Sequence, residues 1–447
     1  MNERKKFYKT VFALVIPMAI QNLINVGVTS TDVFMLGKVG AESLSGASLA
    51  GQIQFIMTLL FFGISSGSAV LIAQYWGKRD IPSIQNVFGI AMKCSVVIAF
   101  VFMLAAQFCP TLLMKIFSND QMVISEGVKY LRIVSFSYLF ISVTMVYLNT
   151  MRSIERVMIS TIVYFCSLII NIILNAILIF GLFGLPKMGV SGAATATLIA
   201  RISETLMICF YNKYHNKDVP FRLSYLKMKN PLLRADFIKY SLPVILNELM
   251  WGGGVAANSA ILGHLGSSVT AANSVAQVTR QLALVIGFGI SNAAAIMIGK
   301  AIGEQKDDVA KTYGSRFARL SIIMGLFGSF VVMVARPIVM SVMEIPADSL
   351  HYLSTMMFIM AAFVIAQSYN TTMVVGIFRA GGDTTFGLIL DVTTMWCGSI
   401  LLGLLASYVF KLPVEIVYLF LMCDEFIKIP ITTWRYKKRY WLRNVTR

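Results

Sequence analysis

The chain has 447 residues, of which 57% are hydrophobic and 13% charged, with a mean hydropathy of +0.74. A soluble domain carries about 25% charged residues, so this composition excludes a cytosolic enzyme, a disordered chain and a DNA-binding domain. The net charge of +17 is better read as an orientation signal for a membrane protein, because Lys and Arg collect in cytoplasmic loops.

The apolar stretches fall at 8–36, 45–76, 85–113, 123–149, 158–183 and 188–212. A polar segment follows, and then six more stretches run 237–262, 270–299, 317–341, 351–377, 386–409 and 413–434. At ~20 residues per spanning helix, they predict an all-α polytopic protein with twelve transmembrane helices. No small-residue cleavage pattern follows the first stretch, so no secretory signal is expected there. Twelve spans put both termini on one side. Assigned that way, 27 Lys and Arg face the termini side and 7 the other, which predicts cytoplasmic termini in a plasma or inner membrane.

A constant offset of 226 relates the two sets of six. Pro17 matches Pro243, Leu36 and Gly37 match Leu262 and Gly263, and the stretch FGIS at 62–65 recurs at 288–291. Ala69, Ile72 and Gly77 match Ala295, Ile298 and Gly303 without a gap. The predicted domains are therefore a six-helix lobe over 1–213, a basic cytoplasmic linker over 214–236, and a second lobe with a basic tail over 237–447. An even number of helices per half makes the repeat parallel, with a pseudo-two-fold axis along the membrane normal. Such a duplication suits alternating access, with the ligand near the repeat interface.

An ionisable side chain inside the bilayer costs at least ~2.5–3.5 kcal/mol, so it normally faces the protein interior and has a function. Asn22, Asn25, Thr29 and Asp32 share one face of the first helix at spacings of 3, 4 and 3. Asp32 lies six residues before Lys38, ~9 Å of helical rise from the outer loop. The fifth stretch carries Tyr164, Ser167, Asn171 and Asn175 at spacings of 3, 4 and 4. Carboxylate and amide oxygens suit a hard cation such as Na⁺. A desolvated aspartate suits a proton equally well. In the second half the offset takes Asp32 to Asn258 and Asn22 to Glu248, so the acid sits at the other polar position. Glu248, Asn258 and Arg280 are the second-lobe cavity candidates. Arg201 and Glu204 are spaced to pair with each other, as are Asp424 and Glu425 with Lys428. Asp391 opens the eleventh stretch with no assigned partner. The 26 Met and 30 Phe serve mostly packing, though thioethers and aromatic faces also suit apolar cations. The six Cys lie in or beside apolar stretches, and no His or Cys group has metal-ligand spacing.

Four segments carry a resemblance: IPMAIQNL with Asp32 followed by MLGKVG; NIILNAILIFGLFGLPKMGVSGAATAT at 171–197; FGISNAAAIMIG at 288–299; and FRAGGDTTFG at 378–387. Over about 8–436 the chain resembles the multidrug and toxic compound extrusion (MATE) family of cation-coupled efflux transporters. The resemblance implies two six-helix lobes in a V around a central cavity. It also implies export of organic cations or other amphipathic compounds in exchange for Na⁺ or H⁺. One branch couples through an acid on the first helix, matched by Asp32, fifteen residues after a kink-forming proline, matched by Pro17. It adds an Asn and an Asp four apart on the fifth helix, matched by Asn171 and Asn175, and a sixth-helix threonine matched by Thr197. Asn175 is an amide where that branch often has a carboxylate, which weakens tight Na⁺ binding and leaves coupling by Asp32. The other branch uses acids on the seventh and tenth helices; Glu248 lies about one turn from that place and the tenth stretch has no acid.

The expected partners are a small amphipathic substrate and the lipid bilayer, with no nucleic acid and the chain acting as a monomer. No cofactor is expected beyond the coupling ion. A flippase for a lipid-linked precursor is the alternative, and it should line its cavity with several cations to meet pyrophosphate. Only Arg201 and Arg280 are embedded, which disfavours it. A channel or receptor does not need this duplication, and an enzyme would need a nucleophile–base or metal constellation that the sequence lacks.

Overall fold

A computed structural model describes residues 3–228, 230–342 and 347–447. Lys229, one of the basic residues of the predicted linker, lies outside them. The described chain is helical throughout: α1 (Glu3–Gly37), α2 (Ala41–Lys78), α3 (Ile81–Phe108), α4 (Pro110–Lys115), α5 (Gln121–Val134), α6 (Ser137–Ser153), α7 (Met158–Phe180) and α8 (Val190–Tyr214) precede a polar connection. Then come α9 (Pro231–His264), α10 (Ser267–Gly303), α11 (Asp307–Val342), α12 (Ala347–Thr371), α13 (Thr384–Thr394), α14 (Leu401–Leu404), α15 (Val414–Leu421) and α16 (Asp424–Lys437). Wider π-type turns at Thr372–Phe378, Met395–Ile400 and Leu405–Val409 prolong α12, α13 and α14.

Each of the twelve apolar stretches coincides with a helix or a pair of helices. Among the described residues nine helices are long and apolar enough to cross a membrane, and α5 with α6, bent by 55°, makes a tenth. The other two stretches form α9, which carries Arg234, Asp236, Lys239 and Glu248, and α15–α16, broken at Met422–Cys423. Local chemistry sets several ends. Asp80 caps α3 by accepting from the Ser83 amide at 3.1 Å, and Asp120 caps α5 by accepting from the Met122 amide at 2.8 Å. Gly181 closes α7 at φ +71°, a conformation only glycine adopts without strain.

Two compact units divide the chain. One contains Met1–Ala19, Ala73–Arg79 and Lys239–Arg447; the other contains Ile20–Ile72 and Asp80–Ile238. One boundary falls between Ile238 and Lys239, and packing explains why 1–19 and 73–79 group with the later residues. Phe7 on α1 is buried, its ring 5.1 Å from those of both Tyr313 and Phe317 on α11. Gln74 on α2 is fully buried and donates to the Ala380 carbonyl at 2.8 Å.

The ends of α2 and α10 cross within the first of these units. Ala73 and Gly77 are the 226-residue counterparts of Gly299 and Gly303. A Cβ on Gly303 would collide with the Gln74 carbonyl, and one on Gly77 with the Lys300 carbonyl. Ala73 lies directly against Gly299. Small residues four apart on both helices permit this backbone approach. Gly303→Ala is therefore expected to cost about 1–3 kcal/mol through overpacking. Thermal unfolding of the purified protein in detergent checks this, and an unchanged midpoint would show that the crossing is slack.

Candidate cation-coupling site

In the unit formed by Ile20–Ile72 and Asp80–Ile238, α1 and α7 meet through polar side chains. Gln21 is buried and donates to the Thr161 hydroxyl at 2.8 Å. One turn of α7 after another, Ser160, Val163, Ser167, Asn171, Asn175 and Ile179 form its buried face. Asn175 donates from Nδ2 to Asp32 Oδ1 at 2.5 Å and to Asn171 Oδ1 at 3.1 Å. Asp32 is half-buried, whereas Asn171 and Asn175 are buried. The structure thus brings together three of the eight residues in the two polar stripes.

One further buried oxygen, Asn175 Oδ1, has no hydrogen-bond partner among the described residues. Thr197, on α8, bonds through its side chain to Tyr130. A buried acceptor without a hydrogen bond is costly, which suits a site that receives a proton or cation. The Asp32 carboxylate and the Asn171, Asn175 and Thr197 oxygens are the groups that would hold such an ion. Among the described residues no group of three or more His, Cys, Asp or Glu side chains is placed to hold a metal. A metal cation here would therefore depend on one carboxylate and neutral oxygens.

Other members of the first stripe stay apart from this cluster. Asn25 and Thr29 are exposed on the chain, and the Thr29 hydroxyl bonds back to the Asn25 carbonyl at 3.2 Å. Pro17 sits inside α1, which runs unbroken through it. The boundary between the units follows two residues later, between Ala19 and Ile20. Arg201 and Glu204 pair at 2.7 Å on α8, as their spacing predicts. Arg201 also acts electrostatically on Asp32, a neighbour that the sequence did not assign to it.

The second-half candidates separate. Asn258 and Arg280 line a cavity of about 40 Å³ together with Trp251, Phe363, Gln367 and Asp424. Arg280 lies over the Phe363 ring at 5.8 Å, and Asn258 Oδ1 and Gln367 Oε1 have no hydrogen-bond partner among the described residues. Glu248 is elsewhere. It pairs with Arg379 at 2.8 Å, and Arg379 also donates to Asn247 Oδ1 at 2.9 Å. Asn247 passes the chain on to Asp391 at 2.8 Å, and Asp391 meets Lys428 at 3.0 Å. Lys428 also holds Asp424 at 3.2 Å and Glu425 at 3.1 Å. The pairs on α16 match their spacing. The roles of Arg379, Asn247 and Asp391 are long-range and carried no local signal.

A duplicated, multi-pass helical protein with a carboxylate held by a buried amide inside one half is a membrane transporter in its layout. The comparisons with known proteins place it more narrowly. The chain belongs to the MatE family, whose model matches residues 17–177 and again 243–409, with starts 226 residues apart. A probable multidrug resistance protein NorM from Agrobacterium fabrum is 28% identical over 301 residues, covering 66% of this chain and 64% of that protein. The probable multidrug resistance protein YoeA from Bacillus subtilis is 22% identical over 415 residues, covering 91% and 88%. Among solved structures, a MATE transporter in its bent conformation superposes with a TM-score of 0.87 at 18% identity, over 97% of this chain and 95% of that one. A MOP superfamily transporter from Pyrococcus furiosus, described as having a binding pocket of reverse polarity, also gives 0.87 at 18% identity, over 96% and 95%. These structural likenesses concern the fold.

Proposed function

We propose that the protein is a secondary antiporter that exports organic cations or other amphipathic compounds, taking H⁺ or Na⁺ in exchange at Asp32. The observation that carries this reading is the Asp32–Asn175–Asn171 cluster, a carboxylate bonded by a buried amide whose own oxygen has no partner among the described residues. The names of the NorM and YoeA relatives support the multidrug part of it.

An ion arriving at Asp32 neutralises the carboxylate and competes for the oxygen that Asn175 now holds. Its effect on transport depends on binding one conformation better than the other. Pro17 removes one backbone hydrogen bond from α1 two residues before the helix passes from one unit to the next. A change in bend at that point moves the Asp32 segment relative to the helix start. The basic loops orient both termini toward the cytoplasm of a plasma or inner membrane, so export is directed outward. A flippase reading needs several unpaired cations, and Arg201 is already committed to Glu204.

The test is transport of an ethidium-like dye in proteoliposomes, with a pH gradient and a Na⁺ gradient imposed separately. Dye movement against its own gradient under either one is the expected result. Movement under neither would overturn the antiport reading.

A further inference from the structure

The FRAGGDTTFG segment stands out in the sequence, yet it takes no part in the Asp32 site. Its three central residues, Gly381, Gly382 and Asp383, form a seat for the chain beyond α16. A Cβ on Gly381 would overlap the Trp441 carbonyl, so only glycine lets the two backbones approach. Gly382 has φ +77° and packs against Val445. Asp383 is buried and accepts from Arg435 at 2.8 and 3.0 Å; Arg443 stands 3.6 Å from it. Trp441 is 1% exposed and stacks on Tyr436, the rings 4° from parallel with centroids 5.7 Å apart.

The seated segment grips α2. Gln74 Nε2 donates to the Ala380 carbonyl at 2.8 Å and to the Arg443 carbonyl at 3.1 Å, while its Oε1 accepts from the Val445 amide at 2.8 Å. A single buried side chain thereby joins α2 to two parts of the chain more than 300 residues away, Ala380 and Arg443–Val445. Around it, Lys78 donates to the Arg447 carbonyl, and Asn444 donates to the Ile302 carbonyl on α10 at 3.4 Å. Residues 41–72 of the same α2 belong to the other compact unit. Whatever holds 73–79 therefore restrains a helix shared by both units.

We propose that residues Trp441–Val445 are a latch. Seated on the Gly381–Asp383 loop, they lock the end of α2 through Gln74, and the transport cycle requires that lock to open. The latch opens by losing the Val445 and Arg443 bonds to Gln74 and withdrawing from the two glycines. No covalent change is involved.

Two measurements on the full chain in liposomes decide it. The first is backbone amide exchange. Gln74→Ala is expected to speed exchange at 73–79 by about an order of magnitude, the scale on which lost buried hydrogen bonds shift a local opening; Val445→Ala, which keeps the backbone amide bond to Gln74 and loses only packing on Gly382, is expected to speed it less. Exchange in α7 should not change. Unchanged protection at 73–79 overturns the latch. So does an equal rise in α7, which would mean general loosening. The second replaces the six native cysteines, introduces Gln74→Cys with Val445→Cys, and joins them with a short bis-methanethiosulfonate that dithiothreitol removes. Tethered protein is expected to fall to the dye leak of empty liposomes and to recover on reduction. Tethered protein running at the untethered rate overturns the proposal. If the native protein moves no dye, the antiport reading has failed, and the exchange measurement still decides whether the segment clamps α2.

Discussion

Asp32→Asn is expected to leave a folded, membrane-inserted protein that no longer accumulates dye on the far side of the bilayer. The substitution keeps the size of the side chain. It also keeps an oxygen to accept from Asn175 Nδ2, the bond that measures 2.5 Å in the native protein. What it removes is the charge that a proton or Na⁺ would neutralise. An ion with equal affinity for both conformations shifts nothing, so driven efflux collapses to equilibration even if substrate still binds. Asn175→Ala provides the graded comparison. It deletes the donor to both Asp32 and Asn171 but spares the carboxylate, so efflux should weaken and not vanish. Dye accumulation in proteoliposomes under imposed gradients checks both variants, and native accumulation by Asp32→Asn would remove Asp32 from the coupling step.

Why some of this was legible in the sequence and some was not follows from distance along the chain. The α1 and α7 polar stripes were visible because helical spacing is local, and an aspartate or asparagine in an apolar run is costly wherever it points. Spacing selected Asn171 and Asn175, and the fold then placed Asn175 against Asp32 at a sequence separation of 143. Asn25 and Thr29 shared that face of α1 without joining the cluster, because a stripe specifies direction and not which neighbour lies opposite. The Arg201–Glu204 pair could be read from its three-residue separation. Glu248 could not be placed, since its partner Arg379 is 131 residues away. Gln74 was harder still. Its partners include the backbone carbonyls of Ala380 and Arg443, and carbonyls occur at every residue and leave no mark in a sequence. The glycines of FRAGGDTTFG were visible as a motif, but the carbonyl that requires Gly381 belongs to Trp441, sixty residues on.

The second large effect is expected at Lys428, which is 4% exposed and lies within 3.0 to 3.2 Å of Asp391, Asp424 and Glu425. Removing its ammonium with Lys428→Met leaves three carboxylates around a space with no cation bonded to them. Truncating one partner of a buried ion pair costs about 3–5 kcal/mol, because the remaining charge stays desolvated. The penalty here falls on a cluster, so the variant should show a strongly lowered unfolding midpoint in detergent and poor recovery from the membrane. Adding Asp391→Asn to Lys428→Met should recover part of the loss, since an amide can still accept from Asn247 while one uncompensated charge disappears. Asp391→Asn alone should be mild, because Lys428 keeps Asp424 and Glu425. Coupling of this kind between neighbours is read from the double-mutant cycle. A Lys428→Met protein with the native midpoint would mean that the three acids are already neutral, and the buried cluster would then be a set of hydrogen bonds with no ionic part to lose.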